Sequence, residues 1–512
     1  MNRAHYGVFS TALLSSISLF ALNAATAQDA SGGQDVIIAD PVVISATRYE
    51  TPIQEVGSAI SVLDAEELSR RQFLRLEDAL QLIPGVTVDL NGSPGRPSPV
   101  RLRGLGPRNT LVLVDGMEVA DTSRSQVQFE FGNIPPETVE RVEVLRGPQS
   151  ALYGADSAGG VINIITRKPE EPFEAQARVE YGSFNTFKPF LEAGGRHESG
   201  FYALGSFSYT DIDGFSSFNE DRGGSEDDPY ISRAWLGKAG KDFDNGASIE
   251  LRGRYVDETT ASDRNNADLI GVYIDKEEFY YGGTASLPLL DGRLVNQVTA
   301  SYVEHERFFD GGFLNGDVYE GSKAKVDYLA TFDFYEAHTT AFGIEWEEER
   351  LDQVAPQAGG VAFGTPADAA FLDEKVATVA AFAQHQWRPI EGLSLIAGIR
   401  ADDNEKFGTD VTARGSIAYD IQATGTRLRA SGGSGIVTPS LYELNDVCIG
   451  NADLDPEESV GFDVGVDQTA LGGRADVSLT LFRTEVEDQI AYVSSPTDGT
   501  PLTPACAAFF GT

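Results

Sequence analysis

The stretch Glu174–Phe184 reads EAQARVEYGSF, and apolar and polar residues alternate along most of it. Successive side chains of a β-strand point to opposite faces, so one face of this strand is apolar and the other is polar. The apolar face carries Ala175, Ala177, Val179 and Tyr181, and the polar face carries Gln176, Arg178 and Glu180. The same alternation groups Phe201, Ala203, Phe207 and Tyr209 in a later strand and Ala475, Val477, Leu479 and Leu481 in another. This pattern is typical of transmembrane barrel strands, whose apolar face meets lipid and whose polar face lines the lumen.

Turns and polar loops separate about 16 such strands after Lys168. A soluble β-sandwich with one wet face would share the alternation, but its strands are usually about 5 or 6 residues long. The strands here extend over about 9 to 11 residues, which is the length that crosses a bilayer. Closing them into a barrel removes the sheet edges, as a backbone in lipid requires. Residues 169–512 are therefore predicted to form a transmembrane antiparallel β-barrel, and the sandwich is the alternative.

The composition agrees with a barrel and limits the partners. The 512 residues include 54 glycines, 10% aromatic residues and only two methionines, as expected for aromatic-girdled strands and tight turns. The net charge of -39 argues against nucleic acid, which binds basic patches, and suits divalent cations or a cationic partner. The sequence contains no phosphate-binding loop, nucleophile elbow or paired zinc-ligand spacing, so we expect no enzyme.

Residues 1–27 are predicted to be a secretory signal peptide. Arg3 gives a basic start, Val8–Leu22 is an apolar stretch, and Ala25-Thr26-Ala27 is a small-residue cleavage site. A membrane-anchoring helix is the alternative, but it needs about 20 predominantly apolar residues, and serines interrupt this shorter stretch. Export would expose Cys448 and Cys506 to oxidation, and they would form a disulfide if they lie close together.

Residues 51–168 are predicted to form a compact α+β domain, preceded by a flexible polar tail at 28–50. Asp64 is a candidate N-cap for a helix that ends before Pro84-Gly85. The apolar residues at helical spacing are Leu68, Phe73, Leu76 and Leu80. Short apolar strands are predicted at Val100–Leu102, Thr110–Val114, Val139–Leu145 and Gly160–Ile165.

A series of motifs in this domain resembles the plug of TonB-dependent receptors. In chain order they are LEDAL at 76–80, IPGV at 83–86, Arg103-Gly104, LVLVDG at 111–116, VEVLRGP at 142–148, ALYG at 151–154 and GGVINII at 159–165. TPSLYEL at 438–444 and NADLDPEES at 451–459 are similar to barrel segments of the family. The resemblance covers nearly the whole chain after the signal peptide and is greatest to the cobalamin-receptor branch. It implies a barrel of about 22 strands around the plug, so we expect the last strands to be missing from this chain.

The resemblance also implies an energy-coupling box in the tail. An outer membrane has no ATP or ion gradient of its own, and in this family a TonB-type periplasmic energy-transducing protein grips the box. The corresponding residues are Asp40, Pro41, Val42, Val43, Ile44, Ser45, Ala46 and Thr47. An extended, β-prone peptide of this kind can add a strand to a partner's sheet edge. The alternative is that Val42–Ile44 only begins the first strand of the plug.

Two further sets of residues follow from the resemblance. In related receptors plug arginines pair with barrel carboxylates, which implies a latch formed by Arg103, Arg146 and Asp463. Arginines in surface strands with water as their partner are the alternative. Cobalamin receptors order extracellular loops with calcium, and the corresponding ligands would be Asp213, Glu226, Asp228 and Asp257. A solvated acidic loop is the alternative there, and no other cofactor is expected.

Together these features predict an integral outer-membrane protein of a Gram-negative bacterium that contacts lipid and imports a scarce small-molecule nutrient by TonB-dependent transport. Cobalamin or another corrinoid is the expected substrate, and a ferric siderophore is the alternative. A passive porin or an uncoupled surface-binding receptor is an alternative of another class, although a porin would lack both plug and tail. A non-functional gene fragment is the remaining alternative.

Overall fold

The computed structural model describes residues 42–90, 95–216, 221, 224, 227–261, 271–311, 316–354, 371–446 and 450–491. The predicted signal peptide, Asp40, Pro41, Glu226, Cys448 and Cys506 lie outside these residues. None of the helices in the described ranges is long and apolar enough to cross a membrane.

Residues 42–166 form a small α+β domain, here called the plug domain. Its elements are β1 (Val42–Val43), β2 (Thr51–Pro52), β3 (Ala59–Asp64), α1 (Ala65–Arg71), α2 (Leu76–Leu80), β4 (Val86–Val88), β5 (Val100–Leu102), β6 (Thr110–Val114), β7 (Met117–Glu118), β8 (Val139–Arg146), α3 (Ser150–Tyr153) and β9 (Gly160–Thr166). Single 3-10 turns lie at Ile53–Glu55, Pro107–Asn109, Phe131–Asn133 and Pro136–Thr138. The central sheet has the order β3-β8-β9-β6-β7, in which only β6 and β9 are parallel. The four predicted strands are confirmed as β5, β6, β8 and β9.

The predicted helix is found as two shorter helices. The Asp64 side chain accepts a hydrogen bond from the backbone N–H of Glu67 at 2.8 Å, so the predicted N-cap is confirmed. Gln72 adopts a left-handed conformation with φ of 54° and ends α1, and α2 begins only at Leu76. The prediction of one continuous helix was wrong because the apolar spacing continues across the break between α1 and α2, which periodicity does not reveal.

The remaining described chain is a 15-stranded antiparallel sheet in which each strand pairs with the next. Its strands are β10 (Glu174–Tyr181), β11 (Phe187–Arg196), β12 (Phe201–Ile212), β13 (Tyr230–Asp242), β14 (Ser248–Ala261), β15 (Tyr273–Leu289), β16 (Leu294–Asp310), β17 (Val318–Phe334), β18 (His338–Val354), β19 (Phe371–Ile390), β20 (Leu393–Asn404), β21 (Gly408–Ile421), β22 (Thr426–Val437), β23 (Glu457–Ala470) and β24 (Ala475–Glu487). One short helix, α4 (Leu441–Asn445), lies between β22 and β23. The alternation predicted for β10 is confirmed, since Val179 is 67% and Tyr181 75% exposed whereas their polar neighbours are half-buried.

The polar face of this sheet surrounds the plug domain. Hydrogen bonds to the plug domain come from strands all along the series, through Gln176, Lys188, Lys238, Arg254, Lys276, His305, Lys323, Glu345, Gln386, Arg414, Arg427 and Asp463. Tyr280 and Val303 of the sheet also join the apolar core of the plug domain around Val142 and Ile162. The sheet therefore forms a barrel wall with the plug domain inside it, as predicted.

Candidate functional site

The described part of the predicted coupling box, Val42–Thr47, is packed into the plug domain. Its strand β1 pairs only with β2 in the described chain and does not join the five-stranded sheet. The carboxylate of Glu143 on β8 accepts three hydrogen bonds from the box: from the backbone N–H of Ile44 at 3.0 Å, and from the backbone N–H and the hydroxyl of Ser45 at 2.9 and 2.7 Å. Ser45, Ala46 and Thr47 are fully buried. The backbone N–H groups of Ile44 and Ser45, which could otherwise pair with another strand, therefore both donate to the Glu143 side chain.

Arg48 ties the end of the box to the barrel wall. Its guanidinium forms ion pairs with Asp327 on β17 and Glu345 on β18, and it lies over the rings of Tyr153 and Phe382. Burial by itself lowers the pKa of Arg48, but Glu345 and Asp327 together raise that pKa above its usual value. The segment is therefore attached both to the plug domain and to the barrel.

A series of ion pairs continues from Glu345 along the barrel wall. Its second carboxylate oxygen lies 3.1 Å from the Lys325 ammonium, and Lys325 also pairs with Glu118 of the plug domain. Glu118 in turn lies 2.8 Å from the ammonium of Lys323. Burial would raise the pKa of Glu118, but Lys323 and Lys325 outweigh it and lower the pKa to about 2. These charges connect Arg48 with Glu118 on β7, an edge strand of the plug sheet, through direct contacts.

The predicted latch residues occupy a second plug–barrel contact. Arg103 lies 3.3 Å from the carboxylate of Asp463 on β23, and both side chains are at least 95% buried. The hydroxyl of Ser431 donates to the same carboxylate at 3.0 Å, and Arg429 lies 3.7 Å from its other oxygen. The structure therefore brings Arg103 and Asp463 together.

Arg146, the third predicted latch residue, has other partners. Its guanidinium donates to the backbone carbonyl of Pro84 at 2.5 Å and to the hydroxyl of Ser61 at 2.8 Å. Burial, followed by repulsion from the neighbouring Arg103 and Arg429, lowers the pKa of Arg146 to about 10. No ion pair joins Arg146 to a carboxylate within the described ranges.

Two of the predicted calcium ligands, Asp257 and Asp213, interact with other side chains, and Glu226 lies outside the described residues. Asp257 forms an ion pair of 2.7 Å with Arg233, and Asp213 accepts a hydrogen bond from the Asn185 side chain at 2.5 Å. Asp228 is buried. Among the described residues no three His, Cys, Asp or Glu side chains form a group that could hold a metal ion. Calcium binding, which would also involve Glu226, stays a prediction.

Sequence reasoning missed Glu143, Arg48 and the charges of β17 and β18. One signal was available, because Lys323 and Lys325, like Glu345, Glu347 and Glu349, recur at every second residue and so share the polar face of a strand. Their partners could not be inferred, since Arg48 and Asp327 are separated by 279 residues of sequence.

Two family models match the chain. The model described as TonB-dependent Receptor Plug Domain matches residues 52–161, and the model described as TonB dependent receptor-like, beta-barrel matches residues 178–510. The second match alone covers more than half of the chain.

Curated relatives and solved structures agree with these matches. The chain is 27% identical over 463 residues to a vitamin B12 transporter, BtuB, of Photobacterium profundum, with 88% of this chain and 71% of the relative covered. It is 28% identical over 470 residues to the protein of that name from Vibrio vulnificus, with 91% and 73% covered. The ferric enterobactin receptor PfeA of Pseudomonas aeruginosa has a similar fold, with a TM-score of 0.72 at 19% identity over 87% of this chain and 73% of that one. The siderophore receptor PirA of the same organism gives a TM-score of 0.66 at 20% identity over 83% and 74%.

Proposed function

Since the chain belongs to the TonB-dependent receptor family, a family of transport receptors and not of enzymes, we propose that it imports cobalamin or another corrinoid across the outer membrane. The barrel would span that membrane in a Gram-negative cell, and a TonB-type protein in the periplasm would supply the energy. The observation that carries the proposal is the packing of the predicted coupling box, Val42–Thr47, here called the coupling segment. Its backbone N–H groups donate hydrogen bonds to Glu143, and the ion pairs of Arg48 fix its end to the barrel wall. A passive pore would need no such segment.

The choice of corrinoid rests on the named relatives. Both curated relatives described above are vitamin B12 transporters and match along about nine-tenths of this chain. The siderophore receptors are less than 25% identical and support the fold alone. A ferric siderophore is therefore the second candidate substrate.

Deletion of residues 40–47 tests the coupling part of the proposal. Cells that carry the deletion should bind labelled cyanocobalamin at their surface but fail to accumulate it, because the grip of the energy-transducing protein is lost. Loss of binding as well would mean that the segment is structural, and unchanged accumulation would contradict coupled transport. Replacing Glu336 by Gln, in the turn between β17 and β18, gives a matched control that should leave both quantities unchanged.

A further inference from the structure

Two of the five histidines of the chain lie side by side on the outer face of the barrel wall. His338 begins β18 and His385 lies on the neighbouring β19. The register places His338 opposite Trp387 and Thr340 opposite His385. Nδ1 of His338 and Nε2 of His385 are 3.1 Å apart, and the two rings are stacked with their centroids 5.3 Å apart. The pairing of these two strands therefore brings two imidazoles into direct contact.

The histidine pair lies at the end of the barrel wall that is close to the coupling segment. On the opposite face of β19, the side chain of Gln386 accepts a hydrogen bond from the hydroxyl of Tyr49 at 2.8 Å. Beside the pair, Tyr335 in the turn between β17 and β18 is 88% exposed, and Trp387 is 44% exposed. Aromatic side chains of this kind mark the boundary between lipid and water in transmembrane barrels. Ions from the water can therefore reach the two imidazoles without entering the hydrocarbon.

The distance between the two ring nitrogens suits a shared metal ion. Imidazole nitrogen binds a late transition metal at about 2.0 to 2.1 Å, so two ligands at about 90 to 110° lie about 2.8 to 3.4 Å apart. The distance of 3.1 Å between Nδ1 of His338 and Nε2 of His385 falls within that range. Without a metal, one of these nitrogens must carry a proton and donate it to the other. A metal ion can replace that proton after a turn of each ring about its Cβ–Cγ bond.

Thr340 supplies the hydrogen-bond partner that a metal-bound histidine needs. Its hydroxyl lies 2.8 Å from Nδ1 of His385, the ring nitrogen that does not face His338. A hydroxyl can donate to that nitrogen or accept from it. When Nε2 of His385 binds a metal, Nδ1 carries the proton and donates it to Thr340. A partner of this kind fixes the tautomer and the orientation of a ligating histidine.

We propose that His338 and His385 form a binding site for a divalent late transition metal ion. His338 binds through Nδ1 and His385 through Nε2, and water at the membrane boundary takes the remaining positions. Imidazole suits Cu²⁺, Ni²⁺ and Zn²⁺, and the affinity of a given set of ligands is highest for Cu²⁺. Ca²⁺ and Mg²⁺ require oxygen ligands and are not bound here. The site lies on the outer face of the barrel wall, so this inference goes beyond the proposed function and does not depend on the transported substrate.

Trp387 makes the site measurable by fluorescence. Its indole is stacked on the His338 ring with centroids 6.1 Å apart, and Cu²⁺ quenches an indole at short range. Of the two other tryptophans, Trp235 lies on β13, and Trp346 lies eight residues from His338 along β18, which is about 27 Å.

The titration uses the full chain without a polyhistidine tag and with both Cys→Ser substitutions. Cu²⁺ should quench part of the tryptophan emission and saturate at one ion per chain. Zn²⁺ should reverse the quenching by competition, whereas Ca²⁺ should not. Quenching that does not saturate, or that Ca²⁺ reverses as well as Zn²⁺ does, would overturn the proposal.

Variants assign the metal to these two rings. His338→Ala and His385→Ala should each weaken Cu²⁺ binding at least about tenfold, and Thr340→Val should weaken it about tenfold. His197→Ala removes an exposed histidine between β11 and β12 and is the matched control, which should leave the affinity unchanged. Electron paramagnetic resonance of bound Cu²⁺ should show splitting from two nitrogens in the wild type and from one in each of the first two variants. Full affinity in either of those variants, or a wild-type spectrum without nitrogen splitting, would show that the metal is bound elsewhere and would refute the site.

Discussion

Replacing Arg48 by methionine should release the coupling segment from the barrel while leaving the rest of the plug domain folded. The substitution removes the only charged group that links the segment to Asp327 and Glu345 within the described chain. Breaking a buried pair by removing one partner costs about 3 to 5 kcal/mol. The lower value applies here, because Glu345 keeps Arg400 at 3.0 Å and Lys325 at 3.1 Å. A loss of about 3 kcal/mol shifts the balance between the packed and released segment by about 100-fold.

A single thiol in the segment reports this balance. Ala46 is fully buried, so a cysteine there reacts with an alkylating reagent only while the segment is released. In the chain without its native cysteines, Arg48→Met should raise the alkylation rate of Ala46→Cys by about 100-fold. Arg350→Met is the matched control, because Arg350 pairs with Asp352 and Asp373 but is 47% exposed.

An unchanged alkylation rate in Arg48→Met would refute this reasoning, since the hydrogen bonds to Glu143 alone would then hold the segment. A general rise in protease sensitivity across the plug domain would refute it differently, by showing that Arg48 stabilises the whole domain. Adding Glu143→Gln separates the contribution of the hydrogen bonds to Glu143 from that of the Arg48 ion pairs. The double variant should exceed Arg48→Met in alkylation rate, because a neutral amide accepts weaker hydrogen bonds than a carboxylate.

Three further predictions concern the plug domain. Arg103→Met should lower the free energy of unfolding of the plug domain by about 3 kcal/mol in thermal denaturation, because Asp463 would stay buried with a weaker set of partners. An unchanged melting temperature would contradict the latch. Gly160→Ala should lower the melting temperature sharply. Gly160 has a φ of 142°, and a Cβ there would lie 2.1 Å from the carbonyl oxygen of Leu145. A melting temperature equal to that of the wild type would contradict this register of β8 and β9. The pKa of Glu118 is lowered to about 2, so its contribution to stability is present above pH 4.5 and is lost as the pH falls toward 2. Glu118→Gln should therefore flatten the acid limb of the stability profile, and an identical acid limb would show that Glu118 does not contribute.

Local periodicity was sufficient to predict the strands. Two-residue alternation identified the lipid and lumenal faces of β10, and the run of apolar residues identified β6 and β9. Periodicity failed where a helix ends without a change in the apolar spacing, as at Gln72 between α1 and α2. A left-handed residue other than glycine leaves no compositional mark.

The site could be predicted only where the family resemblance supplied long-range pairing. Arg103 and Asp463 are separated by 360 residues, and no property of either neighbourhood indicates the other. The same limit explains Arg146, which carries the same motif context as Arg103 but donates to Pro84 and Ser61 instead. The three-dimensional packing decides which arginine pairs with Asp463. Arg103 and Arg146 repel each other, and only Arg103 lies in ion-pair contact with that carboxylate.

The use of charges to hold the coupling segment has a consequence for how the plug domain could be opened. An apolar contact of similar area would contribute stability in proportion to the surface that it buries, and it would have to be exposed to water on release. A buried ion pair gains much less net free energy, because the cost of desolvation offsets most of the attraction. The ion pairs around Glu345 can therefore fix the position of the segment, and its release still costs only a few kcal/mol. Of the two carboxylates left behind, Glu345 keeps Lys325 and Arg400, whereas Asp327 keeps no ion-pair partner among the described residues. The charge of Asp327 would therefore favour the return of Arg48.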